Sequence, residues 1–464
     1  MSEFIVIQVG QCGNQIGSCL LPEILQEYDV RTNNEIGGKT KRDKIDLQQF
    51  MSSFFNLNSK CSTIDSLSDL LNSNAKARFL CIDMEDSVVA RVKVGKYRDL
   101  FDKKCLITNY PGSGNNWAEG YCSHGPKYKQ KILKAIQYTV EQCDNLNGFL
   151  LLFSMGGGTG SGLGTFIVKL LADNFPTIER FVVCVYPTGT EDVITCPYNM
   201  AFATQELLSS ATCVFPVENR SLLDITLKQT GRYTNSRGDL SPFRPFEDMN
   251  KIIVDMILHL TSGSRFGGKM NVDMNEINTN MIPFPQLNFL SSGFSPFKLK
   301  NFNSTSSSSQ LKNELFLSSC SRYNQLLKVD PLDPRYMCMS VTLLGRGNYS
   351  INDMRSYIDR LKPKLHFASW STKAIKVGLC NVPPKGLDFS MLTLCNTSSI
   401  SNLFEEILSQ FVKLYQRKAH VHHYTAIPEF NFEQFKECQN SLNDIVLFYR
   451  EIEQLKPSVL VQSL

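Results

Sequence analysis

Two rhythms of apolar residues alternate along the first half of the chain. Short, mostly apolar runs at Phe4 to Val9, Phe79 to Ile82, Phe149 to Phe153, Phe181 to Val185 and Thr212 to Val217 have the length and the β-branched and aromatic content of buried strands. Other apolar residues recur at helical spacing: Ile16, Leu20 and Ile24 after the first run, and Leu163, Ile167, Leu170 and Leu171 after the third. Strand alternating with helix predicts a parallel α/β sheet, whose ligands collect at the carboxyl ends of the strands. Pro22 falls inside the first helical pattern, where it removes a hydrogen bond and is expected to kink or shorten the helix.

The second half reads differently. Phe246 to Leu260, with Ile252, Ile253, Met256, Ile257 and Leu260 on one side, predicts a long helix joining two domains. Pro283-Phe284-Pro285 and the strand-like stretches Tyr336 to Leu344 and Ala374 to Val382 then predict a mixed α+β domain. From about Ser401 the pattern is helical, with Leu403, Ile407, Phe411 and Leu414 on one face and Phe435, Leu442, Val446 and Ile452 on another. The expected division is therefore 1–225, 226–395 and 396–464. Thr32 to Leu71, Lys228 to Arg244 and Asn301 to Ser309 are polar and read as surface loops. No internal repeat is evident.

Composition adds bounds rather than a function. The 464 residues, 42% apolar and 20% charged, suit two or three domains of ordinary soluble type. No apolar run reaches the roughly 18 residues of a membrane span. The N-terminal Phe4-Ile5-Val6-Ile7 reads as a strand without a basic leader, which makes a cytosolic setting the expectation. A net charge of +4 is too small and diffuse to imply nucleic acid. The 15 cysteines include no C-x-x-C pair and read as reduced, mostly buried thiols. His420, His422 and His423 cluster, as a metal site or, by preference, as a solvated helix end.

The strongest chemical signal follows the third strand. Ser154-Met155-Gly156-Gly157-Gly158-Thr159-Gly160-Ser161-Gly162 holds five glycines in seven residues between an apolar strand and an apolar-striped helix, a setting unlike that of a flexible linker. A turn without side chains lets main-chain N–H groups close on an anion, and the next helix adds its positive end. The loop is thus expected to cradle phosphates. It is not a Walker A loop, because Leu163 follows Gly162 where a Lys is needed. Nor is it a G-x-G-x-x-G fingerprint, whose third glycine would fall at Ser161, Leu163, Thr165 or Ile167.

Separated segments carry related signals. Gly10-Gln11-Cys12-Gly13-Asn14-Gln15 follows the first strand, Asp83-Met84-Glu85 the next, and Gly112-Ser113-Gly114-Asn115-Asn116-Trp117 is a second small-residue turn. Asp192 and Pro197-Tyr198-Asn199 come after the glycine loop. Together with Val217-Glu218-Asn219, Phe246 to Asn250, Asn271-Val272-Asp273-Met274-Asn275-Glu276 and Arg417-Lys418-Ala419-His420, they resemble the tubulin superfamily along essentially the whole chain. Ser113 to Ala118, Ser154 to Phe166 and Asp192 to Asn199 are most similar to its epsilon branch.

That resemblance implies a Rossmann-like GTPase sheet in 1–225, a central helix and intermediate α+β domain in 226–395, and a C-terminal helical region in 396–464. It also implies bound GTP or GDP with Mg²⁺. Gln11 and Cys12 are expected against the phosphates and base; Ser154, Gly156, Gly157, Gly158, Thr159 and Gly160 around the phosphates; and Gly114 and Asn115 over the γ-phosphate. Asp192 joins the nucleotide-binding set, Asn219 and Asn250 read guanine edges, and Phe246 stands where many tubulins stack a Tyr on the base. Asp83 and Glu85 are expected to ligate Mg²⁺ directly or through water, the alternative being a solvated strand end. Cys196 stands where the family usually carries a Glu near the ribose, and a thiol is a poor acceptor, so a sugar hydrogen bond is expected to be lost.

Tubulin-like proteins hydrolyse GTP across a subunit boundary, so the resemblance implies catalytic acids, Asp273 and Glu276, on a surface offered to a neighbour. They match the acidic positions of α-tubulin, where β-tubulin has a Lys at the second. Glu276 is expected to orient the attacking water on the neighbour's nucleotide; the alternative is an ordinary solvated helix acid. The implied partners are other tubulins, delta-, alpha- or beta-like, or a second copy, met through longitudinal contacts in centriole or basal-body assembly. Two features argue against an ordinary microtubule-wall subunit: the Ser/Asn-rich run from Ser295 to Gln310 where a lateral loop should fall, and the absence of an acidic tail from Glu451 to Leu464. The competing readings are a GTP-loaded scaffold or cap that does not polymerise and, more distantly, a nicotinamide oxidoreductase.

Overall fold

The computed structural model describes residues 2–33, 50–57, 70, 73–188, 193–230, 245–268, 270–297, 308–371 and 373–454, apart from the side chains of 29–33, 230 and 245. In chain order the first half gives β1 (Glu3–Val9), α1 (Gly10–Asn33), β2 (Phe55–Asn56), β3 (Lys76–Ala77), β4 (Phe79–Asp83), α2 (Ser87–Val94), β5 (Leu106–Thr108), α3 (Gly125–Val140), β6 (Leu146–Ser154), α4 (Gly164–Asn174), β7 (Glu179–Tyr186), α5 (Cys196–Ser210), β8 (Cys213–Glu218) and α6 (Asn219–Thr230). The predicted central helix is α7 (Pro245–Leu260). Beyond it come α8 (Ser262–Arg265), α9 (Met274–Met281), β9 (Ser291–Ser295), α10 (Ser308–Ser319), β10 (Cys338–Gly347), α11 (Ile351–Leu361), β11 (Ile375–Cys380), β12 (Phe389–Thr397), α12 (Ser401–Gln416), α13 (Val421–Thr425) and α14 (Glu433–Gln454).

Six strands make one parallel sheet in the order β5-β4-β1-β6-β7-β8. Because successive strand residues face opposite sides, the sheet feeds two cores. Ile5, Ile7, Val9, Phe149, Leu151 and Phe153 pack with α3, α4, α5 and the C-terminal helices. Phe4, Val6, Leu150 and Leu152 pack with α1, α7 and the edge of the second domain. That domain holds a mixed sheet, β11-β10-β12-β9, in which β10 and β11 are parallel and the other pairings antiparallel. The α/β class, central helix, mixed second domain and helical end all correspond to the expectation.

Several details differ from it. Helix α1 is not shortened at Pro22 but runs on to Asn33. Ile16, Leu20, Leu21, Ile24, Leu25 and Tyr28 are all buried along it, and that tertiary packing outweighs the hydrogen bond a mid-helix proline removes. Strands β5, β9 and β12 were not foreseen. Strand β9 reads Ser291-Ser292-Gly293-Phe294-Ser295 and is wholly buried, with the Ser291 hydroxyl donating to the Cys395 carbonyl at 3.1 Å, so Ser295 belongs to the sheet rather than to a loop. Ser308, Ser309 and Gln310 open α10, and 298–307 lie outside the described residues. Of the expected surface loops Thr32 to Leu71 and Lys228 to Arg244, 34–49, 58–69, 71–72 and 231–244 lie outside the described residues, as does the terminal 455–464. Phe50, Met51, Phe54 and Phe55 are buried, however, and Phe55–Asn56 pairs as a strand, so that part is core rather than surface loop.

A buried ion triad joins the two sheets. Glu27, on α1, accepts a hydrogen bond from Arg346 Nη1 of β10 at 2.9 Å and forms an ion pair with Arg265 Nη1 at 2.6 Å. Both arginines are fully buried, and their guanidiniums lie 4.8 and 5.6 Å from the ring of Phe266. Burial by itself would raise the Glu27 carboxyl, but the charges of Arg346 and Arg265 outweigh it and hold the group at about 2, below its ordinary 4.5. A depressed carboxyl contributes stability that is fully present above about pH 4.5 and is lost as pH falls toward 2, because the unfolded chain takes up the proton first. Glu27→Gln should therefore cost about 3–5 kcal/mol at pH 7, by stranding two buried cations, and should flatten the loss of stability between these pH values. Denaturant unfolding at pH 7 and at pH values from 4.5 down toward 2 measures both; a variant as stable as the parent would refute the role given to the triad.

Candidate functional site

A cavity of about 500 Å³ opens at the carboxyl ends of the parallel strands. Gln11 and Cys12 enter it from the first turn of α1, Asp83 and Glu85 from the end of β4, and Gly114 and Asn115 from the turn after β5. Ser154, Gly156, Gly157, Gly158, Thr159 and Gly160 line it from the loop after β6. Asn219 comes from the start of α6, and Phe246 and Asn250 from the first turns of α7. Fifteen expected residues, remote in sequence, thus meet around one space. Asp192 lies outside the described residues. Asp273 and Glu276 do not line this cavity: Asp273 caps α9 by accepting from the Glu276 N–H at 2.8 Å, and the Glu276 carboxylate pairs with Lys376 at 2.6 Å on a part-exposed surface.

Backbone must approach backbone closely to make this floor. A Cβ on Gly158 would come within 2.6 Å of the Asn116 nitrogen and 2.8 Å of the Ser113 carbonyl oxygen; one on Gly160 would lie 2.8 Å from the Ser154 oxygen. Gly114 and Asn115 take successive left-handed conformations, φ +51° and +52°, which fold their turn back over the glycine loop. The Ser113 and Thr159 hydroxyls meet at 3.0 Å across the junction. Where the two segments cross, each forms a π turn, at Glu119–His124 and Thr159–Leu163, a local widening that recurs at functional sites. The second π turn leads directly into α4, so its unpaired N–H groups and the helix dipole together make the floor a site for an anion.

The walls divide by chemistry. Asp83 is 3% exposed; one oxygen accepts from the Glu85 N–H at 3.3 Å and the other has no hydrogen-bond partner among the described residues, and burial pushes the carboxyl up to about 7. A nearby cation relieves such a group. Among the described residues no cluster of three or more His, Cys, Asp or Glu is placed to hold a metal, so Asp83 and Glu85 fit a hard cation only if phosphate and water oxygens complete its shell. The three histidines at 420, 422 and 423 make no such cluster either. Burial pushes the Cys12 thiol up to about 12, so it enters as a neutral group. Phe246, also in the lining, is 64% exposed.

Other lining residues were not foreseen. Gln15 lies one helical turn beyond Gln11, and Ser113 adjoins Gly114, so helical spacing and adjacency were available signals. Met249 adjoins Asn250 and Val185 ends an expected strand, so they had the same signals, whereas Pro187 and Val193 gave none. Cys196, singled out as a departure, does line the cavity, and a Cβ on Gly156 would sit 3.2 Å from its sulfur.

Comparison with known proteins agrees with this geometry. Residues 3–226 match the GTPase domain model of the Tubulin/FtsZ family, and residues 285–409 match the tubulin C-terminal domain model. The chain is 39% identical over 475 residues to the tubulin epsilon chain of Homo sapiens, an overlap covering 98% of this chain and 97% of that protein. It is 39% identical over 476 residues to the tubulin epsilon chain of Mus musculus, with the same coverage. A nucleomorph tubulin beta chain of Guillardia theta is 30% identical over 460 residues, covering 98% of this chain and 97% of that one. A GTPase domain in place of a nicotinamide-binding one removes the oxidoreductase reading.

Loop contact as close as this is testable without any ligand. Gly158→Ala should cost about 2 kcal/mol or more, because the Asn116 nitrogen and the Ser113 carbonyl oxygen and Cβ, none of them the end of a flexible side chain, stand in the way of its Cβ. Gly157→Ala should cost no more than about 0.5 kcal/mol, since a Cβ there meets nothing nearer than Asn115 Oδ1 at 3.8 Å. Parallel unfolding measurements on the two variants decide the matter; equal losses would contradict the loop junction described.

Proposed function

The chain belongs to the tubulin family, and on that premise we propose that it binds GTP in the cavity at the strand ends and acts as a subunit joined longitudinally to other tubulins in centriole or basal-body assembly. The observation that carries the reading is the convergence of the glycine loop, the Gly114 turn, the Asp83 pair and Asn219, Phe246 and Asn250 on one 500 Å³ space. Amides of Gly156 to Gly160 and the start of α4 would take the phosphates, with Gly114 and Asn115 over the γ-phosphate. Gln11 and Cys12 would lie against the phosphates and base, Asp192 among the nucleotide ligands, Asn219 and Asn250 on guanine edges, and the exposed Phe246 ring on the base. Asp83 and Glu85 would hold Mg²⁺, which neutralises charge developing on the phosphates. Cys196 in the wall fits a weakened ribose contact.

Hydrolysis is assigned to the joint. Asp273 and Glu276 stand outside the cavity of their own chain, which suits a role on the nucleotide of a neighbour. There Glu276 would orient the attacking water, since phosphoryl transfer depends on positioning and electrostatics more than on covalent help. Exposed apolar side chains next to cavity-lining segments, Tyr110, Ile194 and Phe246, would be covered by the docking subunit. Among the described residues no helix is long and apolar enough to cross a membrane, and a cytoplasmic, cytoskeletal setting is part of the proposal. A scaffold that pairs or caps without polymerising is the second reading; the Ser/Asn-rich run beyond Ser295 favours it.

The expected outcome is that Glu276→Ala lowers GTP turnover in mixed assemblies at least tenfold while the variant still binds GTP like the parent. Phosphate release in pelleted assemblies, with binding measured in parallel, checks this. Undiminished turnover would remove the catalytic assignment, and failure of the parent to sediment with any tubulin in GTP would favour the capping reading.

A further inference from the structure

Asn199, in the first turn of α5, is fully buried beside the cavity without lining it. A carboxamide offers two N–H donors and two acceptor positions, and here all four are used. Its Nδ2 donates to the carbonyls of Asn115 and Gly156, each at 2.8 Å. Its Oδ1 accepts from the Trp117 N–H at 2.8 Å and from the Tyr424 hydroxyl at 2.6 Å. One side chain therefore spans the Gly114 turn, the glycine loop and the C-terminal helical layer.

The point of attachment matters. Asn115 holds a left-handed conformation, which asparagine tolerates better than most residues, and its carbonyl is gripped twice, by Asn199 and by the Thr195 hydroxyl at 2.7 Å. Fixing that carbonyl fixes the plane of the following peptide, whose N–H donates to the Ser113 carbonyl at 2.9 Å and closes the turn. The Gly114 turn is thus held in the cavity by the Asn199 amide and the Thr195 hydroxyl in addition to its own closing hydrogen bond.

Tyr424 completes the amide from α13. Its ring is buried against Tyr198, Phe202, Phe430 and Phe435, which leaves the hydroxyl little freedom. Two further hydrogen bonds cross the same boundary, from Asn116 Nδ2 to the His423 carbonyl at 2.8 Å and from the Tyr198 hydroxyl to the Ala419 carbonyl at 2.9 Å. A shift of 419–424 therefore acts directly on the turn.

We infer that Asn199 is a positioning residue that sets the γ-phosphate selectivity of the site, and that Tyr424 ties this selectivity to the C-terminal helical layer. The inference rests on the guanine-nucleotide reading above. Only the Gly114 turn is assigned to the γ-phosphate, so loosening it should weaken GTP and spare GDP. A residue that merely stabilised the fold would weaken both alike.

The test measures GTP and GDP affinities separately on the full chain. Tyr424→Phe removes one hydroxyl and keeps the ring, and is expected to lower GTP affinity about five- to tenfold with GDP affinity within about twofold. Asn199→Asp turns the donor into an oxygen facing the Asn115 and Gly156 carbonyls, and is expected to cut GTP affinity further, with a smaller loss for GDP through the glycine loop and the ratio of GTP to GDP affinity still lowered. If that variant does not fold, Tyr424→Phe alone decides. An unchanged ratio of GTP to GDP affinity in Tyr424→Phe overturns the inference. A parent chain that binds neither nucleotide overturns instead the reading beneath it.

Discussion

The site depends on the exclusion of side chains where three backbone segments cross. The loop after β6, the turn before Glu119–His124 and the first turn of α1 lie so close that a single methyl group would separate them. A Cβ at Gly13 would overlap the Leu152 carbonyl, one at Gly162 the Trp117 carbonyl, and one at Gly120 the Gly158 carbonyl. Close approach brings main-chain N–H groups to one floor, and the start of α4 adds its positive end. The glycine spacing is therefore a packing requirement first, and an anion site follows from it.

Two braces hold that floor from opposite faces of the sheet. On one, α1 carries Gln11 and Cys12 into the cavity at one end and Glu27 into the Arg265–Arg346 triad nearer the other, so a single rod connects the site to the second domain. On the other, α5 carries Cys196 into the wall and Asn199 beneath it, where Tyr424 of the C-terminal layer meets it. Central helix α7 adds Phe246 and Asn250 at its start while Ile252, Ile253, Met256 and Ile257 pack into the core. The elements that line the cavity therefore reach, among the described residues, into both sheets' cores and the C-terminal helical layer.

What the sequence made legible follows from the range of each interaction. Strand and helix periods are local, and so β6, α4 and the helix at Pro245–Leu260 could be read nearly to their ends. The glycine loop was equally plain, because a run without side chains between apolar elements has few structural uses. The short motifs that line the cavity were recognisable through family resemblance, although nothing local says that Asn219 and Asp83 face the same space. Strand β9 was hidden because serine hydroxyls satisfied inside the fold look polar in sequence. Glu27 and Arg346 stand 319 residues apart, and Asn199 and Tyr424 stand 225 apart; neither pairing has a local signature.

This floor of main-chain amides is expected to hold a guanine nucleotide. The most direct measurement is to denature the purified chain and identify, by chromatography and mass, whatever nucleotide is released. The account predicts close to one GTP or GDP per chain. A chain that releases no guanine nucleotide and fails to take up GTP or GDP supplied with Mg²⁺ would contradict it.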